Sequence, residues 1–310
     1  MPAAPRTVTR GTSAQRTPRR VGLVASALHR EGVDPALIRL LRHFERAITR
    51  ELGLVLYATG RTHAALVRHG LFDGYAHLHA LPDRRDGGLM RIAAMLVDDE
   101  PDRTLDALVY LLDPEDPTSV FPEGQAAKRQ SIVHGKPFIS TFGHACEWLE
   151  LERVLAGFAP DPALDDRFRF DDAVALVAHD ACKDAMEAFT RDHFALLSEF
   201  ARRYATGTTG ARLNLLADRI SGTRDWTQRL KSGPLGGDAQ LANLILDRAC
   251  RRVIFFEDPH VARQHEADIQ LLERAARIAA DYASCVNDPA SACRWAMGFA
   301  KRASLRAPGA

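Results

Sequence analysis

The chain has 310 residues, 46% hydrophobic and 26% charged, with a formal net charge of +1. That length suits about two domains of roughly 150 residues, and the composition is that of a globular protein with apolar cores. The near-neutral charge gives no reason to expect a nucleic-acid or membrane partner. No apolar run approaches the ~20 residues of a bilayer span. Five cysteines without a C-x-x-C pair suit a reducing cytoplasm rather than a disulfide framework or a zinc site.

Residues 1–20 hold five arginines, no acid and no apolar stretch of the kind a secretory leader needs. They read as a disordered basic tail, with a transit peptide as the other reading. From residue 21 the chain repeats itself. "VGLVAS" (21–26) matches "VALVAH" (174–179), and "YATGRT" (57–62) matches "YATGTT" (204–209). "DGGLMRIAAML" (86–96) resembles "GGDAQLANLIL" (236–246), and "LVYLLDP" (108–114) matches "VIFFEDP" (253–259). Four matches in one order indicate a duplicated unit. Residues 21–152 are then one domain and 173–310 the other. The segment 153–172, with two prolines and five aspartates, is expected to be a surface linker.

Within each unit, short β-branched runs such as "AVALVA" and "RVIFF" alternate with helix-periodic stretches such as "ADIQLLERAARIAA". Strands alternating with helices imply an α/β fold, here two tandem doubly wound, Rossmann-like parallel sheets. Such sheets bind ligands at the carboxyl ends of their strands. In the second unit the chemically able residues fall there. His179, Asp180 and Lys183 follow "VALVA", and "TGTTG" (206–210) follows "RRYA". "SGPLGGD" ends in Asp238, Asp258 follows "VIFFE", and His265 and Asp268 come next. Hydroxyls and open amides at helix starts make an anion cradle. A carboxylate beside bound phosphate would repel it, but it can serve as a base toward the ligand's carbon skeleton. Each element also has a plainer reading: capped turns, a first-turn acid, a half-buried imidazole, and Cys182 as a small packing residue. His77 and His79 share a strand face without a third metal ligand beside them in sequence.

"VALVAHDACK" (174–183), "YATGTTG" (204–210), "SGPLGGDAQLANLI" (232–245), "VIFFEDP" (253–259) and "QHEAD" (264–268) closely resemble the methylglyoxal synthase family over about residues 171–300. The resemblance implies conversion of dihydroxyacetone phosphate to methylglyoxal and inorganic phosphate, without metal or organic cofactor. It implies Asp238 as the base that takes a proton from C3 to give an enediolate. It implies His179 and His265 as the groups that polarise the carbonyl and move protons. Lys183, Thr206, Thr208, Thr209, Ser232 and the Gly233 amide would hold the phosphate, and Asp180, Asp258 and Asp268 would orient the site. A cytoplasmic homo-oligomer is expected, with inorganic phosphate as product and regulator.

Three stretches depart from the family pattern: the longer, more polar "SGTRDWTQRLK", "HVARQHEAD" without its usual proline, and "CVNDPASA". Arg302 and Arg306 lie in a tail from which the family borrows an arginine for a neighbouring subunit, but no motif aligns them. In the first unit Ser26, Ala27 and Leu89 stand opposite His179, Asp180 and Asp238, while Arg30 stands opposite Lys183. That unit is expected to be inert as a synthase, either packing only or binding phosphate through Thr59, Arg61 and Thr62. The alternative function for the protein is a non-catalytic module that binds a small phosphorylated metabolite, as the same fold does in the regulatory domain of carbamoyl phosphate synthetases.

Overall fold

Two parallel five-stranded sheets organise the computed structural model, which describes residues 20–116, 122–260 and 266–306, and their side chains except at 266–269. The first half runs β1 (Arg20–Ala25), α1 (Ala27–Arg30), α2 (Ala36–Arg46), β2 (Val55–Thr59), α3 (Gly60–Arg68), β3 (Leu78–Leu81), α4 (Gly88–Leu96), β4 (Ala107–Leu111), α5 (Pro122–Val133), β5 (Phe138–Ile139) and α6 (Phe142–Leu155). The second runs β6 (Ala173–Ala178), α7 (Lys183–Asp192), α8 (Phe194–Glu199), β7 (Arg202–Ala205), α9 (Gly207–Ser221), β8 (Gln228–Arg229), α10 (Gly237–Leu246), β9 (Arg252–Phe256), α11 (Glu266–Ile278), β10 (Ser284–Val286) and α12 (Pro289–Arg306).

The strand orders are β3-β2-β1-β4-β5 and β8-β7-β6-β9-β10, so the halves share one topology. All pairings are parallel. Central β6 reads AVALVA and is buried at every residue, because helices cover both faces of a parallel sheet and leave no wet side for alternation. Edge strand β8 is two polar, exposed residues, which shortens the unpaired edge. In each sheet the chain reverses direction of winding at the central strand. The crevice between β1 and β4, or β6 and β9, is therefore where a ligand site forms. Among the described residues no helix is long and apolar enough to cross a membrane.

The halves meet along α6 and α12. Helix α6 is buried on nearly every face, the pattern of a helix enclosed by protein rather than lying at a surface. Gly298 of α12 lets it close on α6: a Cβ there would lie 2.9 Å from the Leu151 Cβ. Three buried glutamates of α6 meet arginines of the second half. Glu147 pairs with Arg252 at 3.2 Å, Glu150 with Arg302 at 3.0 Å, and Glu152 with Arg294 through two nitrogens. Nearer the site, Lys128 of α5 bonds Glu257 at 2.8 Å and also Glu273. Burial works against its ammonium, but the two carboxylates together hold its pKa above the ordinary lysine value.

The expected linker 153–172 differs from a free surface segment. Its first residues finish α6, and Pro162–Arg167 form a 3-10 helix. Leu164 and Phe168 are buried, and the Asp161 amide donates to Glu150 at 2.8 Å. The aspartates mark its wet side, while the apolar residues between them strap it to the seam. Arg302, 3% exposed, is held in this seam by Glu150, Asp165 and the Asp161 carbonyl, and Arg306 also pairs with Asp165.

His144, buried on α6, makes the seam acid-sensitive. Burial pushes its imidazole from the ordinary 6.5 down to about 4. Between those values the unfolded chain binds a proton that the folded chain refuses. The stabilising contribution is complete above pH 6.5 and is lost as pH falls toward 4. The denaturant midpoint is expected to fall over that window. His144→Leu is expected to flatten the fall by an amount on the order of 3 kcal/mol at about pH 4. Equal slopes for the two proteins would remove His144 as the cause.

Candidate active site

The strand–helix junctions of the second half build the site. β6 ends at Ala178, and the chain turns through His179 into a 3-10 helix, Asp180–Cys182, before α7 begins at Lys183. β7 ends at Ala205, and Thr206 caps α9 in an extended conformation. Ser232 caps the short 3-10 helix Gly233–Leu235, and Gly236 at φ +93° turns the chain into α10. At that turn only glycine fits at 237, since a Cβ would collide with the Lys231 carbonyl oxygen.

These junctions surround a cavity of about 90 Å³ lined by His179, Asp180, Lys183, Thr206, Thr208, Thr209, Ser232, Gly233 and Asp238. Nine of the twelve expected site residues therefore line one space. Of the other three, only Asp258 has a described side chain. The Asp258 carboxylate accepts from the His260 amide at 3.0 Å, closing its own turn. His265 lies outside the described residues. Asp268 is in α11, and its side chain is among those outside the description.

Asp238, 4% exposed, sits in the first turn of α10, where the helix dipole favours a carboxylate. Its Oδ2 lies against the Gly233 backbone: a Cβ at 233 would be 2.9 Å away. The glycine thus leaves room for the carboxylate. His179 is 8% exposed and packs edge-on to Phe255, with ring centroids 4.8 Å apart. Its Nδ1 accepts from the Asp258 backbone N–H at 2.9 Å. A neutral imidazole that accepts at Nδ1 carries its proton on Nε2, so the ring is set to donate from Nε2. Residue 258 thus orients the ring through its backbone amide.

Lys183 Nζ bonds Asp180 Oδ1 at 2.5 Å, which holds the ammonium at the cavity rim. The Gly207 amide is used internally, by the Leu230 and Lys231 carbonyls. That leaves the next amides of α9, at Thr208 and Thr209, as first-turn donors without a helical acceptor. Thr209 Oγ1 lies 3.5 Å from the Ala178 carbonyl, bracing α9 against β6. The arrangement joins an anion cradle, a buried carboxylate and an oriented imidazole donor in one small space. It suits proton removal from carbon beside a held phosphate.

Two contributors were not singled out from sequence. Phe255 backs the imidazole, and the inward face of a buried strand gives no separate sign of that. Glu257 ties the site's β9 loop to Lys128 of the other half, a contact between residues 129 apart that periodicity does not reveal. His77 and His79 are exposed at the β3 edge, beside Tyr75 and Tyr57 respectively.

No family model matches the chain. The methylglyoxal synthase of Agrobacterium fabrum is 42% identical over 105 residues, 34% of this chain and 78% of that protein. That of Thermus thermophilus is 41% identical over 106 residues, 34% of this chain and 79% of that protein. The solved structure of methylglyoxal synthase from Elizabethkingia anophelis NUHP1 shares 30% identity, with 45% of this chain and 80% of that chain covered and a TM-score of 0.31. With more than three-quarters of these curated proteins matched at over 40% identity, the chain belongs to the methylglyoxal synthase family.

Proposed function

We propose that the second half converts dihydroxyacetone phosphate to methylglyoxal and inorganic phosphate. The observation that supports this most is the buried Asp238 carboxylate sharing one cavity with Lys183, Thr206, Thr208, Thr209 and Ser232. A site that only bound phosphate would be weakened by that charge, whereas a lyase needs it. The name of the relatives, methylglyoxal synthase, supports methylglyoxal as the product.

In this reading Asp238 removes a proton from the hydroxymethyl carbon, and the electron pair forms an enediolate with the carbonyl carbon. His179 Nε2–H donates to the carbonyl oxygen as charge builds there. The enediolate electrons then expel phosphate from the carbon that bears it, breaking its C–O bond, and the resulting enol tautomerises to methylglyoxal. Lys183, the hydroxyls and the amides of Thr208, Thr209 and Gly233 stabilise the departing charge. His265 is the second proton carrier. The test is a colorimetric assay for methylglyoxal with purified protein and dihydroxyacetone phosphate. A rate no greater than the spontaneous breakdown of the substrate would end this reading.

Gly233→Ala is a finer probe, because its new methyl group would press on Asp238 Oδ2. Displacing the base by part of an ångström is expected to reduce kcat by on the order of 10²-fold. The melting temperature should hardly move, since residue 233 lies in a half-exposed turn. Wild-type kcat in this variant would show that the carboxylate position is not critical.

A further inference from the structure

A cavity also lies at the equivalent place in the first half, and it has a different chemistry. It measures about 680 Å³, against about 90 Å³ in the second half. Its lining includes Ser26, Arg30, Arg61, Arg84, Arg85 and Leu89. Four arginines face three acids there (Asp83, Asp116 and Glu123), whereas the second half sets one lysine against two aspartates. The electrostatic preference has moved toward anions.

The backbone frame is the same. Gly87 is left-handed at φ +82°, as Gly236 is at +93°, and a Cβ on Gly88 would collide with the Pro82 carbonyl oxygen as one on Gly237 would with Lys231. On this frame two linked changes stand out. Leu89 replaces Asp238 and turns into the core at 2% exposure. Arg84 replaces Gly233, the glycine that in the second half makes room for the carboxylate. Once no carboxylate lies against position 84, a side chain is tolerated there, and the one present is cationic.

The other wall is prepared for an anion. The Arg30 guanidinium is 8% exposed, and its Nε is fixed by the Ala25 and Ser26 carbonyls at 2.9 and 3.2 Å. Burial lowers its pKa most; Glu31 and Asp83 oppose that fall, and Arg61 and Arg84 add to it, so a bound dianion would join two acids in balancing three arginines. Ser26 Oγ lines the cavity at 4% exposure and has no hydrogen-bond partner among the described residues. A buried hydroxyl without a partner is costly, and a ligand oxygen would satisfy it. The first turn of α3 adds amides at the same rim.

We propose that this cavity binds, without turnover, a phosphate monoester larger than a triose phosphate, with the phosphoryl group held by Arg30, Arg61, Arg84 and Ser26. The absence of turnover follows from Leu89, which cannot accept a proton.

Calorimetric titration of full-length Asp238→Asn protein with inorganic phosphate, glucose 6-phosphate and adenosine monophosphate tests this. At least one monoester should bind more tightly than inorganic phosphate, with no phosphate released. Added singly, Arg61→Gln and Arg84→Gln should weaken that binding about tenfold or more, while Lys183→Ala should leave it unchanged. Both arginine positions are solvent-accessible, and circular dichroism checks that the variants fold. In the otherwise wild-type chain, Arg61→Gln should leave methylglyoxal formation unaltered, which separates this site from the catalytic one. No heat from either monoester at millimolar concentration would overturn the proposal. So would binding lost in Lys183→Ala but kept in both arginine variants, or release of phosphate from the bound ester.

Discussion

Asp238→Asn is expected to lower methylglyoxal formation by about 10²–10⁴-fold, the usual contribution of a general base. The substitution keeps the shape that packs against Gly233 and removes the buried carboxylate placed to take the carbon-bound proton. Because that carboxylate sits beside the phosphate cradle, its loss also removes a repulsion. Affinity for inorganic phosphate should therefore hold or tighten while kcat collapses. That split distinguishes a lost base from a damaged site, in which kcat and phosphate affinity would fall together. Equal product from wild-type and variant protein would overturn the assignment of Asp238. A parallel fall in phosphate affinity would point to misfolding of the α10 turn instead.

Arg294→Met is expected to cost about 3–5 kcal/mol of stability, because it strands Glu152 without its buried partner. Glu152 is 2% exposed and Arg294 9% exposed. Burial raises the Glu152 pKa, and the two bonds from Arg294 hold it down. With the arginine gone, the carboxyl must take up a proton or remain as an uncompensated charge. Arg294→Met combined with Glu152→Met should recover most of the loss, since an apolar pair in place of a buried ion pair is commonly near neutral. Urea denaturation of the four proteins gives the cycle. A double variant as unstable as Arg294→Met would mean that the loss comes from the packing of α12 rather than from a stranded charge. Because the pair joins α6 to α12, the cycle also reports how strongly the halves support one another.

That most of the candidate residues gather at one rim was legible in the sequence, for a physical reason. In a doubly wound sheet, residues just past a strand must emerge at one rim. Once "AVALVA", "RRYA" and "RVIFF" are read as strands, the positions of His179, Thr206 and Asp258 follow. The glycines of "SGPLGG" were legible as a tight turn, but not the reason Gly233 in particular is required. That reason is the approach of the Asp238 carboxylate to its backbone. Likewise, Arg84 lies outside the matched stretches, and its place opposite Gly233 came only with the glycine turn that the two halves share.

The amino-acid sequence by itself determined the strand and helix periodicities, the internal repeat, and which half keeps an acid and an imidazole at the rim. These are local patterns, carried by neighbours along the chain. Only the tertiary structure decided that α6 is enclosed by both halves, that 153–172 is strapped down, and that Arg302 is committed to its own chain. It alone also decided the tautomer of His179 and the unequal sizes of the two cavities. Each of these depends on side chains brought together from distant positions, such as Glu150 with Arg302 or His179 with the amide of residue 258, and no periodicity along the chain encodes such a meeting.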